Sequence, residues 1–229
     1  MTALRQRMIE DMQLRNFSPH TQRAYINAVV MFSKHTGRSP EHLTVDEVRT
    51  YLLHLVQKER ASWPRYNVAR CALQFLYRVT LGRDEKYGSL PCARVPQRLP
   101  TVLSAEELKR LFDATRNLRH RTMLMTTYGA GLRVSELVSL RIGDIDSARM
   151  LVHVRQGKGQ RERIVKLSAH LLETLRTYWK KYRPKDLLFP SLKKPGEPLS
   201  TTGLVDLVKA VATRAGIRKR VSPHTLRHS

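Results

Sequence analysis

Hydrophobic residues in the first third of the chain recur every three or four positions, the period of a helix with one buried face. In "SPHTQRAYINAVVMFSKHTG", Tyr25, Val29 and Phe32 share that spacing, Ser18 precedes Pro19 as an N-cap, and Gly37 closes the helix. "TVDEVRTYLLHLVQKE" opens on a capping box, Thr44 with Glu47, and aligns Val48, Tyr51, Leu52 and Leu55 on one face. "PRYNVARCALQFLYRVTLG" aligns Val68, Ala72, Phe75, Leu76 and Val79 before Gly82. With a weaker helix near residues 3–14, the pattern predicts a four-helix bundle over residues 1–82.

The period dissolves over residues 83–100, where "GSLPCARVPQRLP" holds three prolines and two arginines, and reads as a stiff linker. A second capping box, Ser104 with Glu107, opens residues 101–229. "HRTMLMTTYGAGLRVSELVSLRIGDID" predicts two short helices broken at Gly129 and Gly131. The period then changes to two: "MLVHVR" and "ERIVKL" flank "QGKGQ" as a β-hairpin. "SAHLLETLRTYWKKY" and "STTGLVDLVKAVATRAG" return to helix, and Ser222 with Pro223 starts a last one. The fold class is mainly α with a small β-hairpin or sheet: a helical domain, a linker and a mixed α+β domain.

Charge narrows the partners. Lys and Arg number 42 against 19 Asp and Glu, a net +23, with +8 in residues 1–100 and +15 in residues 101–229. So large a surplus in both parts points to a polyanion that touches both. No apolar run approaches the ~20 residues that span a bilayer, and the N-terminus lacks a signal-peptide core, so no membrane is expected. Cys71 and Cys92 are the only cysteines, which excludes a disulfide framework and fits a cytoplasmic protein.

Taken singly, the candidate chemical residues are ambiguous. Arg133 follows "GAG" and stands three residues before Glu136, which a surface ion pair would also explain. Lys158 lies between Gly157 and Gly159 at a hairpin tip, where a solvated charge is ordinary. His224 and His228 have zinc-ligand spacing, but Thr225 follows the first and no third ligand stands near, so no metal is expected. Their order says more: an arginine at a glycine-rich helix start, a lysine on a β-tip, then His-x-x-Arg on a late helix. Two guanidiniums can hold the non-bridging oxygens of a phosphodiester, an ammonium can protonate a departing 5′ oxygen, and an imidazole can move the nucleophile's proton.

"YGAGLRVSELVSLRIGDID", "VRQGKGQRERIVKL" and "SPHTLRHS" resemble the tyrosine recombinases of the phage integrase family, Xer-like in type, and "SPHTQRAYINAVVMFSKHTG" resembles the opening of their core-binding domain. The type IB topoisomerases share the catalytic constellation and match less well. The resemblance implies that Arg133, Lys158, His224 and Arg227 are catalytic and that Glu136 orients Arg133. It implies strand cleavage and rejoining through a 3′-phosphotyrosyl bond, with no cofactor, on double-stranded DNA gripped by both domains, and a homo-tetramer on paired sites. Arg23, Arg65, Arg70, Arg94, Arg98, Arg161 and Arg163 are read as DNA contacts.

In the family the nucleophilic tyrosine lies beyond His-x-x-Arg, whereas the last of the 8 tyrosines here is Tyr182. Tyr128 reads as a core aromatic, and no nucleophile is assigned. The chain is therefore expected to be clipped at its C-terminus and inactive as it stands. The "GLVDLVKAVA" helix should then be partly uncovered and the segment after Gly216 loosely held. Two alternatives remain: a non-catalytic protein occupying recombination sites, and an RNA-binding basic protein, which would not need these residues in this order.

Overall fold

A computed structural model describes residues 2–83, 90–94, 99–155, 162–194 and 196–229 of the chain. It divides into two compact units, Met1–Gln97 and Arg98–Ser229, and the division falls inside the proline-containing stretch. Among the described residues no helix is long and apolar enough to cross a membrane.

The first unit is built from α1 (Ala3–Leu14), α2 (Pro19–Thr36), α3 (Val45–Gln57) and α4 (Trp63–Phe75), with a 3₁₀ turn at Pro40–His42. Local chemistry sets the ends. Ser18 accepts the Thr21 amide at 3.1 Å, and Gly37 adopts φ 68° while its own amide reaches Ser33 O at 2.9 Å. The Thr44–Glu47 capping box forms, and Val48, Tyr51, Leu52 and Leu55 of α3 are all buried. The α4 stripe differs from expectation, because Val68 is exposed and Tyr66, Ala69, Ala72, Leu73 and Phe75 face inward. This helix runs on as a π turn over Leu76–Thr80, which carries Tyr77 into the core to donate to Pro40 O at 2.8 Å. Leu90 packs into the same core, held there by a bond of 2.8 Å from Arg70 Nε to its carbonyl.

The second unit contains α5 (Ala105–Asp113), α6 (Leu118–Gly129), α7 (Val134–Ser139), α8 (Ala169–Tyr182), α9 (Thr201–Arg214) and α10 (Pro223–His228). Its strands β1 (Ile145–Asp146), β2 (Leu151–Val154) and β3 (Arg163–Lys166) form an antiparallel sheet in that order. The hairpin thus gains a third strand. The register pairs Val152 with Val165 and Val154 with Arg163. Alternation puts Val152 and Val154 into the core, where Leu132, Leu137, Leu171 and Phe189 meet them.

Two expectations are corrected here. Tyr128 is not a core residue: it is 39% exposed, and its ring rests against Phe112 with centroids 5.9 Å apart. Nor is the last segment loosely held. Ser222 and Thr225 form a capping box, and Leu226 is fully buried with Ile217 and Val221 against Leu103, Leu108 and Leu111. The α9 face expected to stand open, Leu204, Val208, Val211 and Ala212, is buried. Ser229 Oγ accepts the Leu103 amide at 2.8 Å, tying the last residue to the start of the unit. Short helices such as α10 owe their stability to packing of this kind more than to propensity.

Candidate active site

Gly131, at φ 56°, turns the chain out of α6 so that Arg133 becomes the N-cap of α7. One turn on, Glu136 points back. Its Oε2 accepts the Arg133 backbone amide at 2.8 Å, the reciprocal half of a capping box, and its Oε1 accepts Arg133 Nη1 at 2.7 Å. Arg163, at the start of β3, adds a bidentate pair: Nη1 to Oε1 and Nη2 to Oε2, both 2.7 Å. Arg227 of α10 brings Nη1 to 3.6 Å from Oε2. The Glu136 side chain is wholly buried while the three guanidiniums keep partial exposure, 34%, 30% and 25% in chain order. A buried anion thus sits beneath a half-open layer of cations.

The electrostatics follow from that layering. Burial pushes the Glu136 carboxyl up, but hydrogen bonds from Arg163 and Arg133 outweigh it and hold the group at about 2. Burial and the neighbouring Arg133 and Arg163 charges push Arg227 down from its ordinary value. Among the described residues Arg227 Nη1 is buried without a hydrogen-bond partner. Three cations over one carboxylate leave a surplus of positive charge, and an unsatisfied N–H beside it favours an incoming oxyanion.

The structure therefore brings Arg133, Glu136 and Arg227 together, with His224 exposed on the helix that carries Arg227. Lys158, Arg98 and Arg161 lie outside the described residues. Arg23 and Arg94 are exposed. Arg65 pairs with Glu59 at 2.5 Å, and Arg70 is bonded to the Leu90 carbonyl. Arg163 departs from its expected place among the DNA contacts, because its guanidinium turns inward onto Glu136. A signal for this existed: the two-residue alternation of "RIVK" puts Arg163 on the face of Val165, the less exposed face of the strand.

Residues 101–229 match the Phage integrase family, and residues 4–86 match the phage integrase N-terminal SAM-like domain. The chain belongs to the phage integrase family. Its function lies in site-specific DNA recombination. The chain is 43% identical over 230 residues to the y4qK protein of Sinorhizobium fredii (strain NBRC 101917 / NGR234), covering 100% of this chain and 74% of that one. It is 34% identical over 223 residues to tyrosine recombinase XerA of Thermococcus kodakarensis (strain ATCC BAA-918 / JCM 12380 / KOD1), covering 95% and 76%. Among solved structures, a XerA recombinase superposes with a TM-score of 0.52 at 28% identity, over 98% of this chain and 81% of that one. A lambda integrase dimer bound to a COC' core site shares the fold, with a TM-score of 0.75 at 17% identity over 99% and 86%. For this integrase-family chain, the shared fold gives the arginine cluster its context.

Proposed function

We propose that the chain binds double-stranded DNA at a recombination site and that Arg133 and Arg227 seat the phosphodiester to be cut. The observation that carries this reading is the convergence of both guanidiniums on buried Glu136, with positive charge left over. In that role they stabilise charge growing on the non-bridging oxygens. Lys158 protonates the departing 5′ oxygen, and His224 takes the proton of the attacking hydroxyl. The attacking group becomes bonded to phosphorus as the 5′ oxygen leaves, so the bond energy is kept in a 3′-phosphotyrosyl link and religation needs no cofactor. The Tyr66, Tyr77 and Tyr178 hydroxyls are donated to the carbonyls of Pro91, Pro40 and Leu188, and we assign the nucleophile to none of the other tyrosines either. Four copies on two paired sites complete the reaction, and it runs in the cytoplasm.

Selection of bound duplexes from a random pool, then strand cleavage on the selected duplex, tests this. In a chain extended by a segment that carries a nucleophilic tyrosine, Arg133→Ala and Arg227→Ala should each lower cleavage by about 10²–10³ while binding changes only a few fold. Equal cleavage by the extended chain with and without Arg133→Ala would refute the assignment. Tight binding to a selected duplex with no cleavage even by the extended chain would favour a non-catalytic occupant of such sites.

A further inference from the structure

The β2–β3 hairpin leaves its sheet at Val154 and Arg163, which are register partners. Each leg is anchored there by an arginine on a buried carboxylate. Beyond β2, Arg155 Nε lies 2.5 Å from Asp144 Oδ1, and the other Asp144 oxygen accepts the Arg141 amide at 2.9 Å. On β3, Arg163 holds both oxygens of Glu136 and adds a longer bond, 3.3 Å, to the Gly131 carbonyl. Glu136 and Asp144 are each 2% exposed.

Glu136 accepts four hydrogen bonds, two from Arg133 and two from Arg163. Removing the Arg163 pair would leave a buried carboxylate undercompensated, which is costly. The cations next to it are the two that the phosphate needs. Arg227 Nη1, at 3.6 Å from Oε2, is near enough to feel the charge and too far to be bonded to it. With the Arg163 bond to Oε2 gone, the carboxylate would draw that N–H down and away from the open face.

We infer that Arg163 is a positioning residue for strand cleavage: it saturates Glu136, so that Arg133 and Arg227 stay available to the phosphate, and it ties one leg of the hairpin to α7. The inference rests on Arg133 and Arg227 being the phosphate seat.

Orthophosphate titrated into the 229-residue chain, followed through the side-chain Nε–Hε resonances of Arg133 and Arg227, tests it. Arg163→Ala should weaken orthophosphate on the order of tenfold, the worth of one charge-assisted hydrogen bond. Arg163→Lys should recover part of the loss. In a Glu136→Gln background the Arg163 substitution should cost nothing further, because its partner's charge is gone. The slope of duplex affinity against salt should stay at the wild-type value, whereas a direct phosphate contact would lower it by about one. A lowered slope, or an equal loss in the Glu136→Gln background, would overturn the inference. So would a drop in melting temperature with orthophosphate affinity intact, the mark of a purely structural arginine. If Arg163→Ala does not fold, Arg163→Gln keeps most of the volume and should show the same dependence on Glu136. Wild-type Arg133 and Arg227 resonances indifferent to orthophosphate would sink the seat itself, and the inference with it.

Discussion

The two units bury different things. Among the described residues, Thr80 is the one fully buried polar side chain of the first unit, while the second buries Thr115, Arg119, Thr122, Thr126, Thr127, Glu136, Asp144 and Thr225. The first is an apolar and aromatic helical core, with Phe32 against Tyr51 and Phe17 against Phe75, and among the described residues its charged side chains all reach the surface, although Asp11 keeps one oxygen buried. In the second, four threonines donate to the carbonyl four residues back, as Thr126 does to Thr122 O at 2.7 Å, so their hydroxyls are satisfied locally. Its two buried carboxylates each accept a local amide, from Arg133 and Arg141, and are further neutralised by arginines from other elements, Arg163 and Arg155. The contrast separates two tasks. A domain that presents charge to a polyanion needs only a firm core, whereas one that activates a phosphate must hold charges in fixed positions, and that requires a buried counter-charge.

The largest test of this contrast removes the counter-charge. Glu136→Ala should destabilise the second unit by about 3–5 kcal/mol, because three guanidiniums lose their shared partner. The chain has 2 tryptophans, Trp63 in the first unit and Trp179 in the second, so Trp63→Phe and Trp179→Phe backgrounds report each unit separately in urea. Glu47→Ala, which removes an exposed pairing with Arg38, should cost the first unit far less. Similar losses in the two backgrounds would erase the distinction.

Acid sharpens it next. The Glu136 carboxyl sits at about 2 in the folded chain against an ordinary 4.5. A depressed folded value means the stabilisation is complete above the ordinary value and is lost as pH falls toward 2, roughly 3 kcal/mol in all. Urea midpoints reported by Trp179 should fall more steeply over that range in the wild type than in Glu136→Gln. Parallel curves would mean that Glu136 carries no such linkage.

How much of this was readable in the sequence depends on how one-sided each element is. Helix α3 buries one face only, and its four predicted core residues are its four buried ones. Helix α4 is crowded on several sides, with Ala72, Leu73 and Leu76 all at 0%, so periodicity misplaced Val68. Strand β1 has two residues, too few to carry a period. At the site, resemblance supplied Arg133, Glu136 and Arg227, but an arginine is read by default as facing water or DNA. The alternation of "RIVK" puts Arg163 on the face of Val165, but only the pairing of β3 with β2 and its nearness to Glu136 show what that face meets. Packing of the last helix was equally hidden, since nothing local says that Leu226 meets Leu103 and Leu111.

That packing makes a third test. Leu226→Ala should cost the second unit at least about 2 kcal/mol, since a fully buried leucine leaves a cavity behind. Amides over residues 217–229 should lose protection before those of α8. Fast exchange of those amides in the wild type would restore the expectation of a loosely held end.

The smallest test asks whether like chemistry has like worth in the two units. Each contains a capping box of the same design, Thr44 with Glu47 and Ser104 with Glu107. Each capping glutamate also takes a cation from a neighbouring segment: Arg38 reaches Glu47, and Lys219 Nζ lies 2.7 Å from Glu107. The Glu107 carboxyl is accordingly pulled down, first by the Lys219 hydrogen bond and then by the Ser104 amide. Both boxes lie at exposed helix starts, where water competes for the same groups. Thr44→Ala and Ser104→Ala should therefore each cost about 1 kcal/mol, whatever the chemistry of the core beneath. Trp63 should register the first and Trp179 the second. If Ser104→Ala cost several times more than Thr44→Ala, the start of α5 would be coupled to the arginine cluster, and the second unit's buried charges would reach further than Glu136 and its three partners.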